Sequence, residues 1–310
     1  MSEFTVSRVP FGFIENSAHF NSVDFLGYLS FDHKLIFEYA YGKKKILIAF
    51  IQTDEFVWTS LPSSTFGGFE SNDHTSLEPL IQFIELIESY FLQNTFAKLL
   101  KILLPPSSSG YYSPELQFYG LHSRGFKIEN CNLSYCLPIK DGVEFDSLVS
   151  HGNLKRIRKC IRADLSSHEV SIEKLDIVYK IISLNRQFKG YPMTLSYSQL
   201  LQQAKLFQNK FKFFCSKIEG EIIASAIAIK ITDKTLYILY WGDISEYRAF
   251  SPIVSLCKYI YEYCNQHKID FLDIGTATLN KEPNFGLIDF KSDLGFEHNL
   301  KFTMQKVIKT

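Results

Sequence analysis

Hydrophobic residues along this chain recur with two periods, and the switches between the two mark out its elements. Apolar runs over 35–40 and 44–51 flank Tyr41-Gly42-Lys43, which predicts a β-hairpin with Gly42 in its turn. Runs over 56–58 and 98–104 predict two further strands, the second stopped by Pro105-Pro106. Between them Leu77, Leu80, Ile81, Ile84, Ile87 and Phe91 fall on one face of a helix over 76–91, with Ser76 at its N-cap. A helix over 114–123 and a strand over 132–138 close this half, while residues 1–34 mix short apolar pieces with polar turns and define no element.

The second half follows the same order. A helix over 145–163 carries Leu148, Leu154, Ile157 and Ile161 on one side and Lys155, Arg156, Arg158, Lys159 and Arg162 on the other. Helices over 175–186 and 197–207 lead into a meander of strands over 211–217, 221–231 and 236–241, turned at Glu219-Gly220 and Asp233-Lys234. A helix over 252–264 has Pro252 in its first turn, where a missing N–H is harmless. A strand over 271–274, a polar loop, a short helix after Asn284 and a last strand over 301–308 follow. The repeated order of meander, helix, strand, helix and strand predicts an α/β (α+β) protein of two units, 1–142 and 143–310, each a mixed, mostly antiparallel sheet flanked by helices. The boundary falls in the turn-rich segment Pro138-Ile139-Lys140-Asp141-Gly142.

Composition narrows this picture. At 310 residues with 46% hydrophobic and 15% aromatic content, the chain can bury two cores, which excludes a disordered protein. Lysine plus arginine and aspartate plus glutamate both number 33, so no global field recruits DNA or an anionic membrane, and any polyanion site must be local. The longest clean apolar run, 46–51, is too short to span a bilayer. The N-terminus lacks the basic and apolar pattern of a secretory signal, so the expected location is cytoplasmic. Six cysteines with no Cys-x-x-Cys and no histidine at zinc-finger spacing predict reduced thiols and no metal site.

The most specific stretch is 270–296. In order it carries Asp273-Ile274-Gly275-Thr276, Asn284-Phe285-Gly286-Leu287, Phe290-Lys291 and Leu294-Gly295-Phe296. This order resembles the C-terminal signature of GNAT-fold acyltransferases, in particular the FemAB-like branch of peptidoglycan aminoacyl-transferases and their relatives. Phe66-Gly67-Gly68-Phe69 is a second point of resemblance. The resemblance implies tandem GNAT-like domains, with the signature in the C-terminal one. It also implies an N-acyltransferase that joins an acyl or aminoacyl group to an amine of a cell-envelope precursor, amino sugar or similar small molecule. Lys291 would then lie in the active cleft beside the transferred group.

Acyl transfer to an amine needs a neutral nitrogen, a donor or cation for the carbonyl oxygen that gains charge, and a base within reach of the amine proton. Lys291 is the candidate cation, and Asp243 and Asp273, at the ends of adjacent predicted strands, are the candidate carboxylates. Trp241, Thr276, Asn280, Asn284, Phe285 and Phe69 are the candidate substrate contacts, although each residue alone also fits a turn, cap or packing role. Coenzyme A-dependent GNAT enzymes hold the pyrophosphate on a glycine-rich turn before the helix that here begins at Pro252. The equivalent segment, Glu246-Tyr247-Arg248-Ala249-Phe250-Ser251, has no glycine and a bulky Phe250, and only Arg248 offers phosphate a compensating fork. FemAB-like relatives also lack that turn, and some take the acyl group from aminoacyl-tRNA. The basic helix face containing Arg158 is a candidate contact for a phosphate of such a tRNA or of a nucleotide-linked acceptor. The donor is therefore open between aminoacyl-tRNA and acyl-CoA. An acetyl-CoA-dependent N-acetyltransferase and a noncatalytic GNAT-like ligand-binding protein remain as alternatives.

Overall fold

The computed structural model describes residues 2–8, 18–29, 33–62, 64–72, 76–107, 111–279 and 282–309. The chain opens with strand β1 (Ser2–Ser7) and helix α1 (Val23–Tyr28), followed by strands β2 (Lys34–Tyr41), β3 (Lys44–Asp54), β4 (Val57–Ser60) and β5 (Glu70–Ser71). Helix α2 (Leu77–Asn94), β6 (Leu99–Leu103), α3 (Pro114–Ser123) and β7 (Lys127–Pro138) come next. After them run α4 (His151–Arg162), β8 (Ser166–Val170), α5 (Leu175–Phe188) and α6 (Tyr197–Leu206), and then the meander β9 (Phe211–Ile218), β10 (Glu221–Lys230) and β11 (Thr235–Asp243). Helix α7 (Pro252–Gln266), β12 (Phe271–Thr276), the short pair β13 (Thr278–Leu279) and β14 (Glu282–Pro283), α8 (Phe285–Asp293) and β15 (Glu297–Val307) complete it.

β1 and β8 escape the hydrophobic pattern, as do the two-residue strands β5, β13 and β14, and for the two longer ones the reason is composition. β8 reads Ser-Ser-His-Glu-Val and is the last strand of its sheet, so it needs no buried apolar face. β1, Ser-Glu-Phe-Thr-Val-Ser, has no fully buried residue. The helix expected over 145–163 is interrupted. Phe145–Ser147 is a separate 3-10 turn, and α4 starts only after Ser150, whose hydroxyl accepts the Asn153 N–H.

The chain forms two compact units. The first holds the residues up to Ser134, Thr278–Glu282 and the chain from Asn299 on; the second holds Tyr135–Ala277 and Pro283–His298. In the first unit the strands lie in the order β1-β2-β3-β4-β6-β15, with β5 also on β3, and β4 and β6 run parallel. Its core gathers Phe37, Phe50, Phe69, Phe83, Phe91 and Met304 beside α2. The partition differs from a division at 142/143 because the last strand belongs to the first unit. β15 pairs antiparallel with β6, placing Met304 opposite Ile102 and burying it completely in that core. Conversely, the segment from Tyr135 belongs to the second unit.

In the second unit the order is β12-β11-β10-β9-β8, antiparallel except for β11 and β12. Side chains alternate faces along a strand. Helix α5 covers the face bearing Ser225, whose hydroxyl donates to the Val178 carbonyl. On the other face Ser216 meets Ser167, whose hydroxyl lies 3.5 Å from Ser255 of α7. Gly242 lets α5 approach β11: a Cβ there would stand 3.0 Å from the Ile182 Cα and 2.9 Å from the Asn185 Cβ.

Candidate functional site

The site is built where two parallel strands part. β11 and β12 pair only where Thr235, Leu236 and Tyr237 lie opposite Phe271, Leu272 and Asp273. Beyond that β11 continues to Asp243 and β12 to Thr276 without a shared ladder. At the point of parting β11 carries a bulge: Ile227 faces Tyr240 and Ala228 faces Ile238, so Leu239 is the extra residue. A bulge leaves its extra residue out of the ladder and re-aims the backbone. The result is a wedge at the carboxyl ends of two parallel strands, the end at which open sheets place ligands.

Lys291 locks one wall of this wedge. It is 2% exposed, and its Nζ donates to the carbonyl oxygens of Ile274, Gly275 and Thr276, each at 2.8 Å. Three consecutive carbonyls of an extended strand cannot face one point. They converge here because Gly275 adopts φ +68°, and a Cβ at that position would stand 3.0 Å from the Tyr237 hydroxyl. Asp273, also buried, accepts the Gly275 N–H at 2.7 Å and fixes the same turn. Burial pushes the Lys291 amine down to about 7, with Asp273 pulling the other way. Three carbonyl acceptors require three N–H donors, so the observed geometry is that of the ammonium. The lysine expected to face the transferred group is thus committed to the backbone at the end of β12.

The opposite wall ends at Asp243. Its Oδ1 accepts from Asn185 Nδ2 at 2.5 Å and lies 3.5 Å from Arg248 Nε, while its carbonyl accepts from the same Asn185 nitrogen at 2.8 Å. Trp241 is partly buried and meets the ring of Phe290 edge to face at 6.1 Å. Asn284 caps α8 by accepting the Leu287 N–H at 3.1 Å, and its Nδ2 donates to the Tyr191 hydroxyl at 2.9 Å. Beside it Phe285 is 71% exposed. Thr276 contributes its carbonyl to the lysine lock.

Three sequence candidates stand elsewhere. Phe69 touches no solvent-filled site: it is buried in the first unit's core, 5.8 Å from the ring of Phe83, because the glycines before it turn the loop inward. Arg158 lies on the outer face of α4, where it lines a shallow depression with Lys155, Ile161 and Arg162. That helix packs on α7 and on the turn Ser245–Phe250. Asn280 falls outside the described residues.

The structure adds residues that periodicity hides. Asn185, Arg186 and Lys189 from the C-terminal end of α5, and Tyr191 just after it, converge on Asp243, Tyr240 and Asn284. The only sequence signal was a pair of cations at a helix C-terminus, which favours cations without any ligand. The segment before α7 also differs from a phosphate-binding turn. Phe250 packs against the cluster of Cys160, Leu165, Ile218 and Ile223, and α4 holds the segment's carbonyls through Lys159 to Ala249 (2.6 Å) and Cys160 to Phe250 (2.8 Å).

No protein-family model matches this sequence, and no curated protein matches it. Solved structures do. FemX aligns with a TM-score of 0.67 at 14% identity, over 89% of this chain and 88% of FemX. L-PGS from Bacillus licheniformis gives 0.57 at 12% identity over 86% and 82%. The C-terminal domain of a putative lysylphosphatidylglycerol synthetase from Agrobacterium fabrum gives 0.56 at 10% over 86% and 81%. Among the described residues no helix is long and apolar enough to cross a membrane. With two meander-based units, mixed and mostly antiparallel sheets and flanking helices, the chain has the fold of FemX and other GNAT/FemAB-like proteins.

Proposed function

We propose that the chain is an N-acyltransferase whose reaction takes place in the wedge between β11 and β12. The observation that carries this reading is the parting of two parallel strands at a bulge, with one wall locked by Lys291 and the other ending in a held carboxylate. An acyl donor laid in the wedge would direct its carbonyl oxygen at the amide that the Leu239 bulge releases from the ladder. A fixed amide at that point stabilises the developing oxyanion by a few kcal/mol, of order ~3.

Asp243 is the base in this reading. Asn185 and Arg248 orient one of its oxygens, leaving the carboxylate aimed to take the proton of an attacking amine. The carbon–nitrogen bond forms, the bond from the acyl carbon to its carrier breaks, and the proton passes to the leaving oxygen or sulfur. Lys291 acts through the backbone as a positioning residue, holding the Ile274–Gly275–Thr276 carbonyls out of the acyl path. The acceptor class is an amine of a cell-envelope precursor, amino sugar or similar small molecule.

Aminoacyl-tRNA is the favoured donor over coenzyme A, because Phe250 is packed where a pyrophosphate turn would need open amides. The cations Lys155, Arg158 and Arg162 around Ile161, which have no salt-bridge partner among the described residues, offer a phosphate contact outside the wedge. The test supplies labelled aminoacyl-tRNA and acetyl-CoA separately with a panel of amines. Transfer from either donor that falls about 100-fold in Asp243→Asn, with an unchanged melting temperature, supports the reading. No transfer from any donor overturns it, and micromolar acetyl-CoA binding would make the acetyltransferase the leading form.

A further inference from the structure

At the mouth of the wedge on the α5 side the described cations outnumber the described carboxylates. Lys189 lies within electrostatic reach of Arg186, Arg248 and Asp243, and Glu246 reaches Arg248, so three cations face two carboxylates. Arg186 donates through Nε and Nη2 to the Pro192 carbonyl and lies over the Tyr240 ring at 5.2 Å, which fixes its guanidinium. Arg248 is fixed as well, between Asp243 at 3.5 Å and the ring of Phe188 at 4.7 Å. Its Nη2 is nevertheless buried without a hydrogen-bond partner among the described residues. The Lys189 ammonium has no hydrogen-bond acceptor among the described residues. Loss of surrounding water and the two guanidinium groups hold its pKa below the ordinary lysine value, against the pull of Asp243.

Such a cluster is costly as it stands. Like charges repel, and a buried guanidinium nitrogen without an acceptor forfeits a charge-assisted hydrogen bond. One group removes both costs: a phosphoryl group, which brings about 1.5 to 2 negative charges and three acceptor oxygens. Phe188, 72% exposed beneath Arg248, keeps an open approach to the cluster.

We propose that Arg186, Lys189 and Arg248 form a subsite for a phosphate or diphosphate group, so that the molecule entering the wedge is a phosphorylated one. The binding claim stands on these residues alone. Its extension to the substrate of acyl transfer rests on the function proposed above. The same chemistry could be offered by a soluble phosphorylated compound or by an anionic lipid headgroup, and the two are separated by the choice of probe.

The experiment uses the full chain without any acyl donor. Pyrophosphate is titrated by calorimetry at fixed ionic strength, and flotation with phosphatidylglycerol–phosphatidylcholine vesicles is measured alongside. Saturable pyrophosphate binding that weakens at least about tenfold in Lys189→Gln, is restored in Lys189→Arg and is unchanged in Lys174→Gln supports the subsite and a soluble substrate. Vesicle binding with the same dependence on position 189, in the absence of pyrophosphate binding, supports it with a lipid headgroup as the source. Because the Lys189 ammonium has no acceptor among the described residues, Lys189→Gln should melt no lower than the parent, so lost binding cannot be lost fold. Binding of neither probe overturns the proposal, as does binding that survives Lys189→Gln but is abolished by Arg158→Gln. A protein that binds pyrophosphate and transfers no acyl group would sink the proposed function and leave the subsite standing.

Discussion

The two units repeat one arrangement and finish it differently. In each, the last strand of a meander runs parallel to the strand that follows the next helix: β4 with β6 over Val57–Thr59 and Leu99–Lys101, and β11 with β12 over Thr235–Tyr237 and Phe271–Asp273. Beyond those pairs the first unit stitches its strands together. The Leu103 N–H donates to the Ser60 hydroxyl at 2.9 Å, and the Leu103 carbonyl accepts from Gly67 at 2.8 Å. Gly67 and Gly68 press this loop into the gap so closely that a Cβ would meet Ser60 O at 2.7 Å in one case and Gln117 Oε1 at 2.3 Å in the other. Gln117, fully buried, then bonds the Phe69 N–H and carbonyl, each at 2.9 Å. Among the described residues no such plug lies between β11 and β12 in the second unit. The shared topology parts the strands in both units, and the first fills the gap with its own chain.

Each unit also buries an ionisable group whose pKa is moved to about 7, from opposite directions. In the first, burial raises Glu70 from 4.5 to about 7, against hydrogen bonds from the Ala18 N–H and Asn21. In the second, burial lowers Lys291 from 10.5 to about 7. For Glu70 the folded chain holds the proton more tightly. Its contribution is therefore fully present below pH 4.5 and is lost as pH rises through about 7. For Lys291 the unfolded chain holds the proton more tightly, so stability increases between about pH 7 and 10.5.

The comparison breaks most readily at Lys291. Replacing it with Met strands three buried carbonyls and should cost ~3 kcal/mol in urea unfolding, together with loss of acyl transfer. Lost transfer at unchanged stability would mean that the lysine faces substrate after all. Gln117→Leu in the first unit should cost ~2 kcal/mol for the stranded Phe69 groups while leaving catalytic constants at the second unit unchanged. If acyl transfer fell with it, the plug would not be merely structural. The smallest effect is expected from Glu70→Gln, which keeps the acceptor for Ala18 and removes the ionisation. Unfolding measured at pH 5 and pH 8 should show the variant ~1–2 kcal/mol more stable than the parent only at pH 8. Equal stability at both pH values would show that Glu70 is ionised in the folded protein at no cost.

Periodicity determined most of the elements and the α+β class. Helix α2 spans Leu77–Asn94 where its apolar spacing predicts a helix over 76–91, and the meander β9–β11 lies within a few residues of its predicted bounds. These are local facts, since a residue's alternation or 3.6-residue spacing states which face meets a core. It does not state which core. Tertiary packing alone sent Met304 to the first unit, spent the Lys291 ammonium on carbonyls gathered by the left-handed Gly275, and turned Phe69 into a plug. It also brought Arg186 and Lys189 to Arg248 and Asp243, about 60 residues further along the chain. Charges at a helix end carry no record of what the folded chain will place opposite them, because that partner is fixed only when α5 docks on β11 through Gly242.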